Sequence, residues 1–117
     1  MNSKALSKLV VQGMQERKAK DITILDLTKV KNAVADYFVL CSASSDTQAD
    51  SIAESIEKYV YKEAKENVWM KEGKNNKEWI LLDFVSVVGH VFKNEVREHY
   101  NLEGLWGDAI VTEVETV

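Results

Sequence analysis

Cys41, His90, His99, Asp26 and Asp83 are the residues whose types could assemble nucleophilic chemistry: a thiol, an imidazole base and a carboxylate to orient it. A reactive thiolate needs a lowered pKa and access. Cys41 instead sits in the run ADYFVLCSA between apolar neighbours, where a cysteine is most simply a small buried hydrophobe. A metal centre needs several converging ligands. The two histidines are nine positions apart on different elements, without HxH or HExxH spacing. Neither GxGxxG nor GxxxxGK[ST] occurs, so the phosphate-cradling loops are missing. A Gly-Ser turn followed by paired acids, as two-metal nucleotidyl transfer requires, is missing too. The remaining concentration of chemistry is aromatic: Trp79, Phe84, Tyr100 and Trp106, with Asp83, His90 and Arg97 among them. Large rings beside an arginine and a carboxylate have the character of a protein-recognition patch. The competing reading is that Trp79 packs beneath a helix. Two readings of His90 also stand side by side: a hydrogen-bonded, half-buried strand residue, or a partner contact through its donor and acceptor.

The elements that must position these residues follow from periodicity. Ser3 is a candidate N-cap for a helix whose apolar stripe is Leu6, Leu9, Val10 and Met14, ending near Lys18–Lys20. Asp21–Leu27 reads as a strand with Ile22 and Ile24 on one face and Leu25 and Leu27 on the other, hence covered on both sides. After a polar connection, Ala35–Ala43 is the strongest strand, with Tyr37, Val39 and Cys41 opposed to Phe38 and Leu40. Ser45 and Gln48 have capping-box spacing for a helix with the stripe Ala49, Ile52, Ala53, Ile56, Val60 and Ala64, stopped at Asn67. Val68–Glu72 is a short strand candidate. Trp79–Phe84 and Val87–Phe92 form an antiparallel hairpin, with Ile80, Leu82 and Phe84 on the face opposite Trp79, Leu81 and Asp83. Asn94 is the expected cap of a short helix holding Val96 and Tyr100. Leu102, Leu105 and Trp106 repeat the spacing in one further turn that stops at Gly107. The order α-β-β-α-β-β-β-α predicts an α/β (α+β-like) fold with a single mixed sheet of about five strands and helices packed on it. A domain over residues 1–109 and a C-terminal tail over 110–117, either a ragged strand or disordered, complete the expectation.

The chain has 117 residues, enough for one domain, and 45% of them are hydrophobic. A net charge of −4 repels phosphate backbones on average, so no direct, specific nucleic-acid binding is expected. One cysteine excludes an internal disulfide and a cysteine-rich zinc site. The absence of an apolar span or signal-peptide pattern makes a cytoplasmic protein, off the membrane, the expectation.

The segment from Trp79 to Ala109, WILLDFVSVVGHVFKNEVREHYNLEGLWGDA, resembles the ribosomal silencing factor S family, also called Iojap-like. The residues that carry the likeness are Trp79, Asp83, Val88, His90, Val91, Phe92, Arg97, Tyr100, Leu102, Glu103, Leu105 and Trp106. Earlier stretches add DITILDL, ADYFVLCS, Gln48 with Ser51–Ala53, and Glu72–Gly73. The resemblance implies a nucleotidyltransferase-like topology without the catalytic acids, no enzymatic activity and no cofactor or metal. It implies a translational repressor that binds the large ribosomal subunit through ribosomal protein L-fourteen and sterically blocks joining of the small subunit when nutrients are scarce. Large-subunit assembly is the alternative implied by organelle relatives; a nucleotidyltransferase-like enzyme and a homodimeric module without a ribosomal target are rivals. Matched to the family motif, the contact candidates are Trp79, Asp83, Phe84, His90, Arg97, Tyr100, Leu105 and Trp106, and Trp79→Ala is expected to lose the partner while remaining folded. One departure is Val85–Ser86 where the family commonly has Gly-Asp, which predicts a longer or differently twisted hairpin connection, since valine disfavours positive φ. Gly89 is another, standing where a β-branched residue is usual.

Overall fold

Alternating apolar residues make strands here, and the helical stripes cover one side of them. The computed structural model describes residues 1–73 and 75–115. The elements are α1 (Ser3–Glu16), β1 (Lys20–Asp26), β2 (Tyr37–Ala43), α2 (Asp46–Ala64), β3 (Met70–Glu72), β4 (Trp79–Asp83), β5 (Val87–Lys93), α3 (Asn94–Tyr100), the single turn α4 (Leu102–Leu105) and β6 (Ile110–Glu113). They build one mixed sheet in the order β3-β4-β5-β2-β1-β6. Only β2 and β5 run parallel, joined through a crossover containing α2; the other neighbours are antiparallel.

The sheet has six strands where about five were expected. The added one comes from the expected tail: Ile110–Glu113 pairs with β1, Leu25 opposite Val111 and Thr23 opposite Glu113. Every β6 residue is exposed, so no burial alternation marks the strand in sequence. Residues 116–117 of that tail lie outside the described residues.

Two apolar layers result. On one face α1 and α2 bury Val10, Met14, Ile52, Ile56 and Val60 against Val39, Cys41, Ile80, Leu82, Phe84 and Val91. Each fully buried aliphatic side chain of this kind contributes about 1.5–3 kcal/mol. The helices touch closely at Gly13, where a Cβ would lie 2.7 Å from the Ile56 Cα, and the Ser55 hydroxyl donates to the Gly13 carbonyl at 2.7 Å. The opposite face holds Leu25, Leu27, Phe38, Leu40, Val88 and Phe92. Among the described residues no long helix covers it; the 28–36 loop and the short α3–α4 segment do so through Val30, Ala33, Leu102 and Trp106.

The end signals differ in detail from the sequence expectation. Asn2, not Ser3, caps α1, its Oδ1 accepting from Ala5 N at 2.8 Å. Ser45 caps α2 as expected, accepting from Gln48 N at 3.1 Å, while Gln48 Oε1 accepts from Ser44 N at 2.7 Å rather than from the cap itself. Helix α2 ends at Ala64 because Lys65 turns left-handed, before Asn67 is reached. Lys93 occupies the cap of α3, so Asn94 is its first residue and makes no capping bond. The β4–β5 connection is tight rather than long. Val85 takes φ +74°, Ser86 N donates to Phe84 O at 3.0 Å, and Asp83 Oδ1 accepts from Val85 N at 2.7 Å. This is a γ-turn of the rarer, strained hand, held by the aspartate. Gly89 sits in an unbroken ladder between Val39 and Leu82.

Candidate functional site: an aromatic face on the open side of the sheet

The parity of the strands decides which candidates meet. Trp79 on β4 lies directly opposite Phe92 on β5, and Leu81 opposite His90. The four rings of Trp79, His90, Phe92 and Tyr100 form one cluster: Trp79 stacks on Phe92 at 5.1 Å and meets Tyr100 at 4.6 Å, while His90 lies 5.8 Å from Trp79. Trp106 from the segment after α4 meets Phe38 edge-on at 5.8 Å, and Phe38 meets His90 at 4.7 Å. Such pairs add to the burial of the rings themselves.

His90 is the hub beneath this cluster and does not reach solvent: it is 2% exposed. The Trp79 indole N–H donates to His90 Nδ1 at 3.0 Å. The ring is therefore neutral with its proton on Nε2. Burial pushes its pKa down to about 3, because the charged form would lose its hydration. His90 Nε2 is buried and has no hydrogen-bond partner among the described residues. Of the two readings of His90, the packed one holds in this structure, more deeply than half-buried.

Arg97 ties the α3–α4 segment to the sheet. Its guanidinium donates to the Asp21 carbonyl, to Ser42 Oγ at 3.1 Å, to Thr23 Oγ1 at 2.9 Å and to Glu103 Oε2 at 3.2 Å. The fork thus spans β1, β2 and α4. The arginine is a structural clip whose two terminal nitrogens are already engaged, and it fixes where Tyr100, Leu105 and Trp106 stand.

The eight candidates therefore divide. Tyr100 and Leu105 are exposed, Leu105 at 72%. Trp79 and Trp106 are half-buried with edges on the same face. Asp83 is half-buried and spends one oxygen on the turn at Val85. Arg97 and His90 hold the others in place. Phe84 is separate: it is buried among the residues under α1 and α2, on the far side of the sheet from Trp79. Register adds residues that the sequence did not single out. Met70 pairs with Asp83, Glu72 with Leu81, and Val111 with Leu25, so all three share the Trp79 face. Met70 and Val111 are exposed there.

The nucleophile set is dispersed. Cys41 faces the helix-side core and His90 the other side. Burial pushes the Cys41 thiol up to about 12. Asp26 accepts from Thr28 N and Oγ1 at 2.9 and 2.6 Å, which hold its carboxyl below the usual range. Among the described residues no three His, Cys, Asp or Glu side chains gather to hold a metal, and no helix is long and apolar enough to cross a membrane.

The comparisons with known proteins agree with the family pattern carried by this face. The family model described as ribosomal silencing factor during starvation matches residues 1–117. The ribosomal silencing factor RsfS of Bacillus subtilis is 38% identical, over 98% of this chain and 96% of its own length. A crystal structure of a Chromobacterium violaceum protein superposes with a TM-score of 0.85 at 33% identity, covering 92% of this chain and 88% of that one. A mouse protein named mitochondrial assembly of ribosomal large subunit protein 1 is 30% identical over 84% of this chain, which spans 43% of that protein. With a match along its whole length and such identity to RsfS proteins, the chain belongs to the ribosomal silencing factor family.

Proposed function

We propose that this protein represses translation by binding the large ribosomal subunit through ribosomal protein L-fourteen and sterically blocking the joining of the small subunit, chiefly when nutrients are scarce. It acts by occupancy and without catalysis, in the cytoplasm. The observation that carries the reading is the open aromatic face on a member of the silencing-factor family. The face has the composition of a docking surface: half-exposed rings at the centre and polar groups around them. Its charge supports a basic partner. Residues 94–115 carry Glu98, Glu103, Asp108, Glu113 and Glu115 beside Arg97, which is engaged internally, and the 28–36 loop on the same face adds Lys29 and Lys31 against Asp36, so the two segments together stay acidic. Complementary charge speeds encounter with a basic ribosomal protein. Blocking then follows from mass action, since two ligands that need one surface exclude each other.

Sucrose-gradient sedimentation with dissociated subunits tests this. The protein is expected to co-migrate with the large subunit alone and to reduce the joined ribosome when small subunits are added. Absence from the large-subunit fraction, or full joining at saturating protein, refutes it. A second reading, a role in large-subunit assembly, is favoured by the name of the mouse relative. Accumulation of precursor large subunits on depletion, with no change in joining of mature subunits, would select that reading.

A further inference from the structure

Beside the exposed rings lies a cleft of about 210 Å³ between the β3–β4 turn and α3. Trp79 and Leu81 line it from β4 and Tyr100 from α3; Glu72, Gly73, Asn76 and Glu78 form the opposite rim. Glu72 pairs with Leu81 across the β3–β4 ladder, so its carboxylate stands on the same side of the sheet as the aromatic wall. Trp79 and Tyr100 touch each other at a tilt of 47°, which makes them one continuous wall rather than the two sides of a slot.

The rim is built rather than loose. Gly73 has φ +84°, and a Cβ there would fall 1.9 Å from the Trp79 carbonyl oxygen, so the turn can lie against β4 only with glycine at this position. Lys77 N donates to Gly73 O at 2.8 Å, and Glu78 N donates to Asn76 Oδ1 at 2.9 Å. Lys77 also reaches Asp50 on α2 at 2.7 Å, anchoring the turn to the helix layer. Glu78 precedes Trp79 and lies opposite Lys93, whose amine reaches Asp46 on α2, so its carboxylate stands on the helix side; the described lining thus presents an aromatic wall, one leucine and the Glu72 carboxylate, with no cationic side chain.

We propose that this cleft receives a single basic side chain, arginine or lysine, from the protein docked on the face. Its aliphatic stem lies along Leu81 and the Trp79–Tyr100 wall, and its charged head meets Glu72. A cation gains from the ring faces and from the Glu72 carboxylate together, and a planar guanidinium can use both at once. The cleft is smaller than the roughly 300–1,000 Å³ of small-molecule sites, and its carboxylate repels phosphate. A protein side chain is therefore the occupant that fits. The proposal deepens the docking reading above and rests on it for the identity of the partner, but the cleft can be probed alone.

The probe is N-acetyl-arginine amide, titrated into the ¹⁵N-labelled full chain, with the uncharged isostere N-acetyl-citrulline amide as control. The expected result is movement of the Trp79 indole and Gly73 amide signals with arginine and not with citrulline, abolished in the Glu72→Gln variant. Equal shifts from both probes, or none from either, overturns the assignment. The same variant, added to isolated large subunits, is expected to bind about tenfold more weakly than wild type, from loss of the charge-assisted contacts. Wild-type-like binding by the variant removes the cleft from docking. Failure of the wild type itself to bind large subunits, with the arginine shifts intact, refutes the ribosomal reading and leaves the cleft standing as a basic-side-chain site.

Discussion

Replacing Trp79 by phenylalanine isolates one bond at the centre of the aromatic face. A phenyl ring preserves contact with Phe92 and Tyr100 but cannot donate to His90 Nδ1, now 3.0 Å from the indole nitrogen. His90 is 2% exposed and its Nε2 already lacks a partner, so the variant leaves both ring nitrogens buried and unpaired. Stranding a buried acceptor costs about 1–3 kcal/mol, and the smaller ring adds a packing loss. The reverse change is cheaper. In His90→Leu the half-buried Trp79 N–H is left to find water, and an orphaned buried nitrogen disappears with the histidine. Removing both partners is expected to be milder than the sum of the single changes, with a coupling of about 1–2 kcal/mol. Urea unfolding at neutral pH, followed by circular dichroism so that loss of a tryptophan does not confuse the signal, gives the four free energies. A coupling below about 0.5 kcal/mol, within ordinary additivity error, refutes a net role for the bond.

The same histidine predicts acid sensitivity. The unfolded chain takes up a proton near pH 6.5 whereas the native ring resists until about 3, so its contribution is whole above pH 6.5 and falls as pH drops. About 1.4 kcal/mol is lost per pH unit in that window, and His90→Leu should flatten the slope in denaturant titrations between pH 6.5 and 4.5; an unchanged slope excludes His90 as the cause. Leu105→Asp, at a position 72% exposed, should leave stability within about 0.5 kcal/mol and weaken large-subunit binding at least about tenfold in sedimentation assays. It is a cleaner probe than Trp79→Ala, which also removes a stacked ring and a donor from the packing. Gly73→Ala should destabilise by at least about 2 kcal/mol in thermal unfolding, because both the positive φ and the Trp79 carbonyl oppose a side chain. Cys41 should resist thiol reagents at pH 8 until the protein unfolds, since burial holds its pKa near 12; rapid native labelling would contradict that environment.

Much of the fold was legible because the side chains of the strands alternate between two apolar faces with period two. Ile22 and Ile24 do face the opposite side from Leu25 and Leu27, and Val39 and Cys41 the opposite side from Phe38 and Leu40. The α2 stripe from Ala49 to Ala64 packs as its spacing required. The same alternation placed Phe84 with Ile80 and Leu82, away from Trp79, so its separation from the aromatic face was available in the sequence. What was not available depends on partners distant along the chain. Exposed Ile110 and Val111 have no burial pattern of their own and become a strand only by pairing with β1. Arg97 looked like a contact residue because an arginine among aromatics usually is one; its acceptors Asp21, Thr23 and Ser42 come from elements far upstream. The Val85 turn defeated propensity because Asp83 holds the strained backbone in place.

Pairing the last strand with the first also sets an order of assembly. A growing chain that has reached Lys93 contains α1, α2 and β1–β5, and so carries every residue of the helix-side layer named above. Its other layer lacks Leu102 and Trp106, the Arg97 clip and the strand that borders β1. Synthesis runs from the N-terminus, and contacts between distant ends of a chain close late. The aromatic face therefore takes its final form only after β6 has been made, and a product broken off before Asn94 would carry a helix-covered sheet whose other face keeps only the 28–36 loop.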